Sequence, residues 1–330
     1  MRVDLRIDEL ERFGIRLEDE GVHAFDPTAE WWNESWFFDF FEDDGRQAGH
    51  VRLGLFPSQG RAWLWIFAMR EGEWVAIEEP RLPLALVGHD PLRIDAQGLH
   101  ASWEVKQPLV AGRLRAGGLG RVVSGARAGR LAPVSLDLEI EAVGPPHSGG
   151  RAAAPGHASA THRASRFEQP ISARGTLELG GEARRFVGRG ERDHSFGPRA
   201  WGLEWTFLVL CSDALRVQAA EAVIPNVGRF VVGYLQRDAM RSLRQAAFEL
   251  TLRDDDVAQT ARGPFSVVAE DGERVAGHVE TWSGVEIDLS HTLVPPRPTL
   301  YRRCLVRATL DGVAEPLLGW LELHRLRQPR

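Results

Sequence analysis

The sequence predicts an all-β protein built as two domains. Three observations carry that reading: short runs in which apolar and polar residues alternate, Gly- and Asp-Gly-centred breaks between them, and scarce helical periodicity. With 330 residues the chain also exceeds the size at which one hydrophobic core usually stops growing. Apolar residues at 43% and charged residues at 26% are those of an ordinary folded globule, which argues against disorder.

Taken in order, the first twenty residues and 238–250 are the only helix candidates, and the second reads equally well as a strand pair. The clearest strands are 35–41, 50–56, 62–68, 134–142 and 204–211, rich in Val, Leu, Phe and Trp. Asp44-Gly45, Asp271-Gly272 and Asp311-Gly312 each separate two such runs, where residues that tolerate positive φ close a hairpin. The stretch 144–165 is loaded with Gly, Pro, Ala and Ser and has no large apolar residue, so it is expected as a surface loop or linker. It divides the chain into an N-terminal domain, 1–143, and a C-terminal domain, 166–330.

Several classes of function are disfavoured. A net charge of -6 with no basic stripe offers no footprint for nucleic acid. The amino terminus lacks the apolar core of a signal peptide, and no run approaches the ~18 apolar residues of a membrane helix, so a cytoplasmic protein without an integral membrane segment is expected. Cys211 and Cys304 are isolated and fit reduced core positions. His147, His157 and His162 match no common ligand spacing, and no metal site is expected. No Gly-x-Gly-x-x-Gly opens a helix after a strand and there is no P-loop lysine, so no cofactor is assigned. The chain is compatible with a homodimer.

The densest chemistry lies in Gly188-Arg-Gly-Glu-Arg-Asp193-His194-Ser195-Phe196-Gly197-Pro-Arg199-Ala-Trp201. If it is extended, Asp193 and Ser195 face one way and His194 and Phe196 the other. Its plain reading is a set of ion pairs stapling two β domains. Ser195 lacks the Gly-x-Ser-x-Gly elbow of an activated nucleophile. A second signal is the aromatic strand from Trp31 to Phe41, with Glu34, Trp36 and Phe38 on one face and Asn33, Ser35, Phe37 and Asp39 on the other. It reads either as a strand buried on both sides or as a pocket wall.

The 188–199 run, the Asn33-Glu34-Ser35-Trp36 strand with Gly49-His-Val-Arg-Leu-Gly54, and Phe167-Glu168-Gln169 together resemble the bacterial lipocalin-like group that includes carotenoid 1,2-hydratase and AttH-like proteins. The likeness is to a branch with a Gly-x-Gly-x-Arg-Asp-His-Ser-Trp-Gly signature; here Phe196 stands in place of the Trp. The resemblance implies two lipocalin-like antiparallel β-barrel or half-barrel domains packed together around an apolar small molecule. It also implies carboxylic-acid protonation of a hydrophobic, isoprenoid substrate, through hydration, dehydration, cyclisation or isomerisation. Asp193 is then the candidate acid, with His194 or Glu34 as partner. Trp36, Phe38, Trp201 and Trp205 are candidate walls, and Asn33, Phe196, Arg199, Glu168 and Glu322 are further substrate contacts. The competing reading is a non-catalytic carrier of a hydrophobic molecule; a closed structural domain is the third.

Overall fold

The computed structural model describes residues 7–25, 28–29, 31–89, 92–96, 98–148, 165–198, 202–224, 228–290 and 298–327. It is nearly all strand and divides into two compact units, residues 1–199 and 200–330.

The first unit opens with a short helix, α1 (Ile7–Phe13), and a 3-10 turn, Leu17–Glu20. There follow β1 (Trp32–Phe41), β2 (Gln47–Phe56), β3 (Arg61–Arg70), β4 (Glu73–Pro83), β5 (Val87–His89), β6 (Leu92–Ala96) and β7 (Leu99–Gln107). The unit is completed by β8 (Ala111–Val122), β9 (Leu131–Ala142), β10 (Ser165–Leu179) and β11 (Glu182–Pro198). These form one sheet in the order β4-β3-β2-β1-β11-β10-β9-β8-β7-β6-β5, and a further β4–β8 pairing closes eight of them into a barrel. Eight strands enclose a space that side chains can fill, and here they do: Trp36, Phe38, Phe40, Leu53, Trp103, Leu138 and Phe186 belong to one buried core.

The second unit holds β12 (Glu204–Cys211), β13 (Arg216–Ile224), β14 (Gly228–Gln236), β15 (Met240–Phe248), β16 (Thr251–Leu252), β17 (Ala261–Ala269), β18 (Arg274–Glu286), β19 (Thr299–Leu310) and β20 (Leu317–Leu326). Their order is β15-β14-β13-β12-β20-β19-β18-β17-β16, and a β15–β17 pairing closes a second eight-strand barrel. The two lipocalin-like barrels agree with the predicted fold class. Closure removes the exposed edges that so many short strands would otherwise leave.

All five clearest predicted strands lie within observed ones, and the three Asp-Gly turns join β1–β2, β17–β18 and β19–β20 with Gly45, Gly272 and Gly312 at positive φ. The 238–250 stretch is strand β15, not helix. The expected division of the chain is corrected: β10 and β11 pair with β9 and β1, so the first unit runs to Arg199 and the Asp193 motif belongs to it. Nor is the whole of 144–165 a surface loop. Residues 144–147 are buried, the Gly144 carbonyl accepts from Gln169 at 3.1 Å, and His147 exchanges backbone hydrogen bonds with Glu168 at 2.7 and 2.9 Å. Backbone groups alone can anchor a segment that lacks large side chains. His157 and His162 lie outside the described residues. Among the described residues, no helix is long and apolar enough to cross a membrane.

Candidate functional site

β11 lies between β1 and β10, and its two faces carry different chemistry. The run Gly188–Gly190 explains the closeness of that pairing: a Cβ on Gly190 would lie 1.9 Å from the Asp39 carbonyl oxygen, and one on Gly188 2.2 Å from that of Phe41. These glycines are strand-packing residues, with no ligand role required.

The inner face holds Arg192, His194 and Phe196 opposite Phe38, Trp36 and Glu34. Arg192 donates through both terminal nitrogens to the Glu20 carboxylate at 2.8 Å each, and also to Gln169 Oε1 at 2.7 and 2.8 Å. Glu20 accepts further bonds from Trp103 Nε1 at 3.0 Å and the Leu109 N–H at 2.8 Å. Burial alone would raise its carboxyl, but the Arg192 charge and these hydrogen bonds outweigh that and hold it below the usual carboxylate range. The 3-10 turn is thereby locked onto the barrel.

One step along the same face, His194 Nδ1 donates to the Asp19 carbonyl at 2.8 Å and Nε2 lies 3.1 Å from Glu34 Oε1. Glu34 also accepts from the His23 backbone N–H at 3.0 Å and faces His23 Nδ1 at 2.8 Å. Burial pushes the Glu34 carboxyl up; the bonds from His194 and His23 more than offset it, leaving it lowered. Donor atoms of His23, Glu34 and His194 lie within 4.8 Å of one another, a set able to hold a metal ion. His23 stacks on Phe196 with centroids 3.4 Å apart, and Trp36 stacks on His194 at 4.3 Å.

The outer face is where Asp193 lies. Strand register places Trp65, Arg52, Phe37, Asp193 and Glu168 in one row across β3, β2, β1, β11 and β10. The next row is Trp63, Gly54, Ser35, Ser195 and Arg166. Arg166 bridges the two rows, donating to Asp193 Oδ2 at 2.9 Å and contacting Glu168 closely. Arg52 donates to Asn33 Oδ1 at 3.1 Å and its guanidinium sits 5.0 and 5.2 Å from the Trp63 and Trp65 rings. Ser35 and Ser195 hydroxyls are 3.0 Å apart. Asn33, Ser35, Arg52, Glu168 and Ser195 are all buried.

In the second unit Trp205 Nε1 and Arg303 both donate to the Glu322 carboxylate. Trp205 stacks on His324 with centroids 4.1 Å apart, and His324 Nδ1 donates to the Leu203 carbonyl at 2.7 Å. Burial is the main influence on His324 and lowers its imidazole, against an opposing push from that carbonyl bond.

The expected site residues thus fall into three groups. Glu34, His194 and Phe196 come together inside the first barrel; Asn33, Asp193 and Glu168 share its outer face; Trp205 and Glu322 pair in the second unit. Asp193 does not meet His194 or Glu34, because successive residues of a strand point to opposite faces. For the same reason Trp36 and Phe38 are not walls beside Asp193: they fill the barrel core. The ring next to Asp193 on its own face is Phe37, with Trp63 and Trp65 on the same face three strands away on β3; none of these three is a site residue expected from the sequence. The alternation Arg61-Ala-Trp63-Leu-Trp65 signals a strand with both indoles on one side, but only its register ties them to Asp193. His23, Arg52 and Arg166 were likewise not assigned. Arg199 and Trp201 lie outside the described residues.

Comparison with solved structures gives fold-level likeness. A Nitrosomonas europaea protein assigned as an AttH aligns at TM-score 0.63 and 14% identity, over 93% of this chain and 94% of that one. CghA in complex with Sch210972 aligns at 0.58 and 16%, over 93% and 94%. Kievitone hydratase from Nectria haematococca aligns at 0.52 and 10%, over 93% and 94%. At these identities the likeness is one of fold: each neighbour shares the two-unit antiparallel β architecture along nearly its whole length. Comparison with curated protein sequences gives no match. The family model described as a domain of unknown function, DUF7064, matches residues 16–327, and the chain belongs to that family.

Proposed function

We propose that the chain is an enzyme that protonates a hydrophobic, alkene-bearing small molecule of isoprenoid type on the outer face of its first barrel. The observation that carries this reading is two carboxyl groups crowded on one cation beside an aromatic ring. Asp193 and Glu168 are register partners that both contact the Arg166 guanidinium, and Phe37 is the neighbour of Asp193 on the other side. A buried excess of carboxylate is costly unless a proton or a cation offsets it. Arg166 can neutralise one of the pair Asp193 and Glu168, leaving the other able to hold a proton at a carboxyl oxygen.

Delivery of that proton to an alkene carbon forms a C–H bond from the π electrons and leaves a carbocation on the neighbouring carbon. Water adds to the cation through its oxygen, and the surplus proton returns to the carboxylate, so the acid is regenerated. The reverse sequence is dehydration. Loss of a different proton gives isomerisation, and attack by a second alkene gives cyclisation. The carboxylate left behind and the ring of Phe37 favour the cationic stage. This chemistry requires neither nicotinamide nor flavin. That one structural neighbour is named a hydratase and another is seen with a small molecule, Sch210972, supports the same class of activity.

The test is to titrate the full chain with isoprenoid alcohols and follow tryptophan fluorescence, then incubate bound compounds in heavy-oxygen water and analyse products by mass spectrometry. Saturable quenching that is lost in Trp65→Ala, together with heavy-oxygen incorporation, supports the reading. Binding without any conversion identifies a carrier instead, and absence of binding removes both.

A further inference from the structure

We infer that His23, Glu34 and His194 form a binding site for one divalent cation of the zinc class at the end of the first barrel. This site is separate from the proton-carrying face, since Asp193 and His194 point to opposite sides of β11. The argument begins with His194, whose Nδ1 faces the Asp19 carbonyl at 2.8 Å. A carbonyl can only accept, so Nδ1 carries a hydrogen, and Nε2 either donates to Glu34 from an imidazolium or, once a metal ion displaces that proton, presents its lone pair. That nitrogen points at Glu34 Oε1, 3.1 Å away. Two electron-rich atoms meet there, and they can stay together only across a proton or a metal ion. Orientation of a histidine by a backbone carbonyl on its other ring nitrogen is also the usual support of a metal ligand.

The third donor is independent of the first two. His23 belongs to the segment before β1, yet its Nδ1 lies 2.8 Å from the same Glu34 oxygen, and stacking on Phe196 at 3.4 Å fixes its ring. Two imidazole nitrogens and one carboxylate oxygen are a donor set zinc favours, with bonds of about 2.0–2.2 Å and room for water as a fourth ligand. Bonds of that length from one ion place neighbouring donors about 3.4 Å apart at tetrahedral angles, slightly wider than the 2.8 and 3.1 Å found here. A shift of a few tenths of an ångström accommodates the ion. Glu34 and His194 are buried, while the His23 side chain, one-fifth exposed, gives the ion and its water a way in. Such an ion would tie the segment carrying Asp19, Glu20 and His23 to β1 and β11.

The experiment is zinc binding by the full chain after chelator treatment, using zinc chloride alone as the probe and elemental analysis after dialysis as the readout, with cobalt absorption as a check on coordination. The expected result is one retained equivalent in the wild type and in Asp193→Asn. His23→Ala and Glu34→Gln should bind zinc more than about tenfold more weakly, with far-ultraviolet circular dichroism showing both still folded. Absence of retained zinc in the wild type, or equal retention in folded His23→Ala and Glu34→Gln, overturns the inference and shows that protons alone hold the cluster.

Discussion

Arg192 and Glu20 meet through two parallel 2.8 Å hydrogen bonds inside the first barrel, joining β11 to a turn that precedes the sheet in sequence. Both groups are buried, so each depends on the other for compensation. Arg192→Met leaves a buried carboxylate without its cation and is expected to cost about 3–5 kcal/mol, measured as the loss in unfolding free energy. The double variant Arg192→Met, Glu20→Gln should recover part of that loss, because it removes the stranded charge.

Glu20 also sets a direction with pH. Its folded carboxyl is held below the ordinary 4.5 by Arg192 against the upward push of burial, so its contribution is full above 4.5 and is lost as pH falls through the folded value. Urea midpoints between pH 6 and acid should drop more in the wild type than in Glu20→Gln.

His147 adds a loss in the same direction at higher pH. Burial, with a smaller push from Arg12, lowers its imidazole from 6.5 to about 4. The unfolded chain therefore binds a proton that the folded one refuses, and stability present above pH 6.5 falls as pH decreases toward 4, by about 3 kcal/mol at most. His147→Phe should flatten the stability profile in that window, read from unfolding midpoints across pH 4–7.

Gly190 owes its place to β1. The Cβ of Gly190→Ala would collide with the Asp39 carbonyl, which the backbone can avoid only by moving β11 away. The expected loss is about 1–3 kcal/mol in unfolding free energy, with Gly180→Ala unsuitable as a control because Gly180 sits at positive φ and is strained for a different reason.

These outcomes also show which parts of the molecule its sequence reveals. Strands and hairpins are legible because alternation and Asp-Gly turns are local: Ser35 to Phe41 with Asp44-Gly45 specifies a hairpin without help from the rest of the chain. Barrel closure is not, since Val75 meets Val122 through a pairing no local pattern encodes. The Gly/Pro-rich stretch suggests a domain boundary because it cannot bury itself, yet it connects β9 to β10 within one barrel. At the site, strand parity correctly separates Asp193 from His194, whereas the partners of each come from register: Phe37 and Glu168 beside one, Glu34 and Asp19 beside the other. Glu20 ends the stretch that reads as a helix candidate and His23 lies just beyond it, and only tertiary burial reveals them.

The most direct test of the central claim is deuterium incorporation. An isoprenoid alcohol or alkene that binds the wild type is incubated in heavy water, and deuterium entering carbon is followed by mass spectrometry for wild type, Asp193→Asn and Glu168→Gln. Proton delivery from the Asp193–Glu168 pair predicts carbon-bound deuterium in the wild type and a fall of about 10²–10⁴-fold in its rate in at least one variant, with binding nearly unchanged. Wild-type rates in both variants would contradict it.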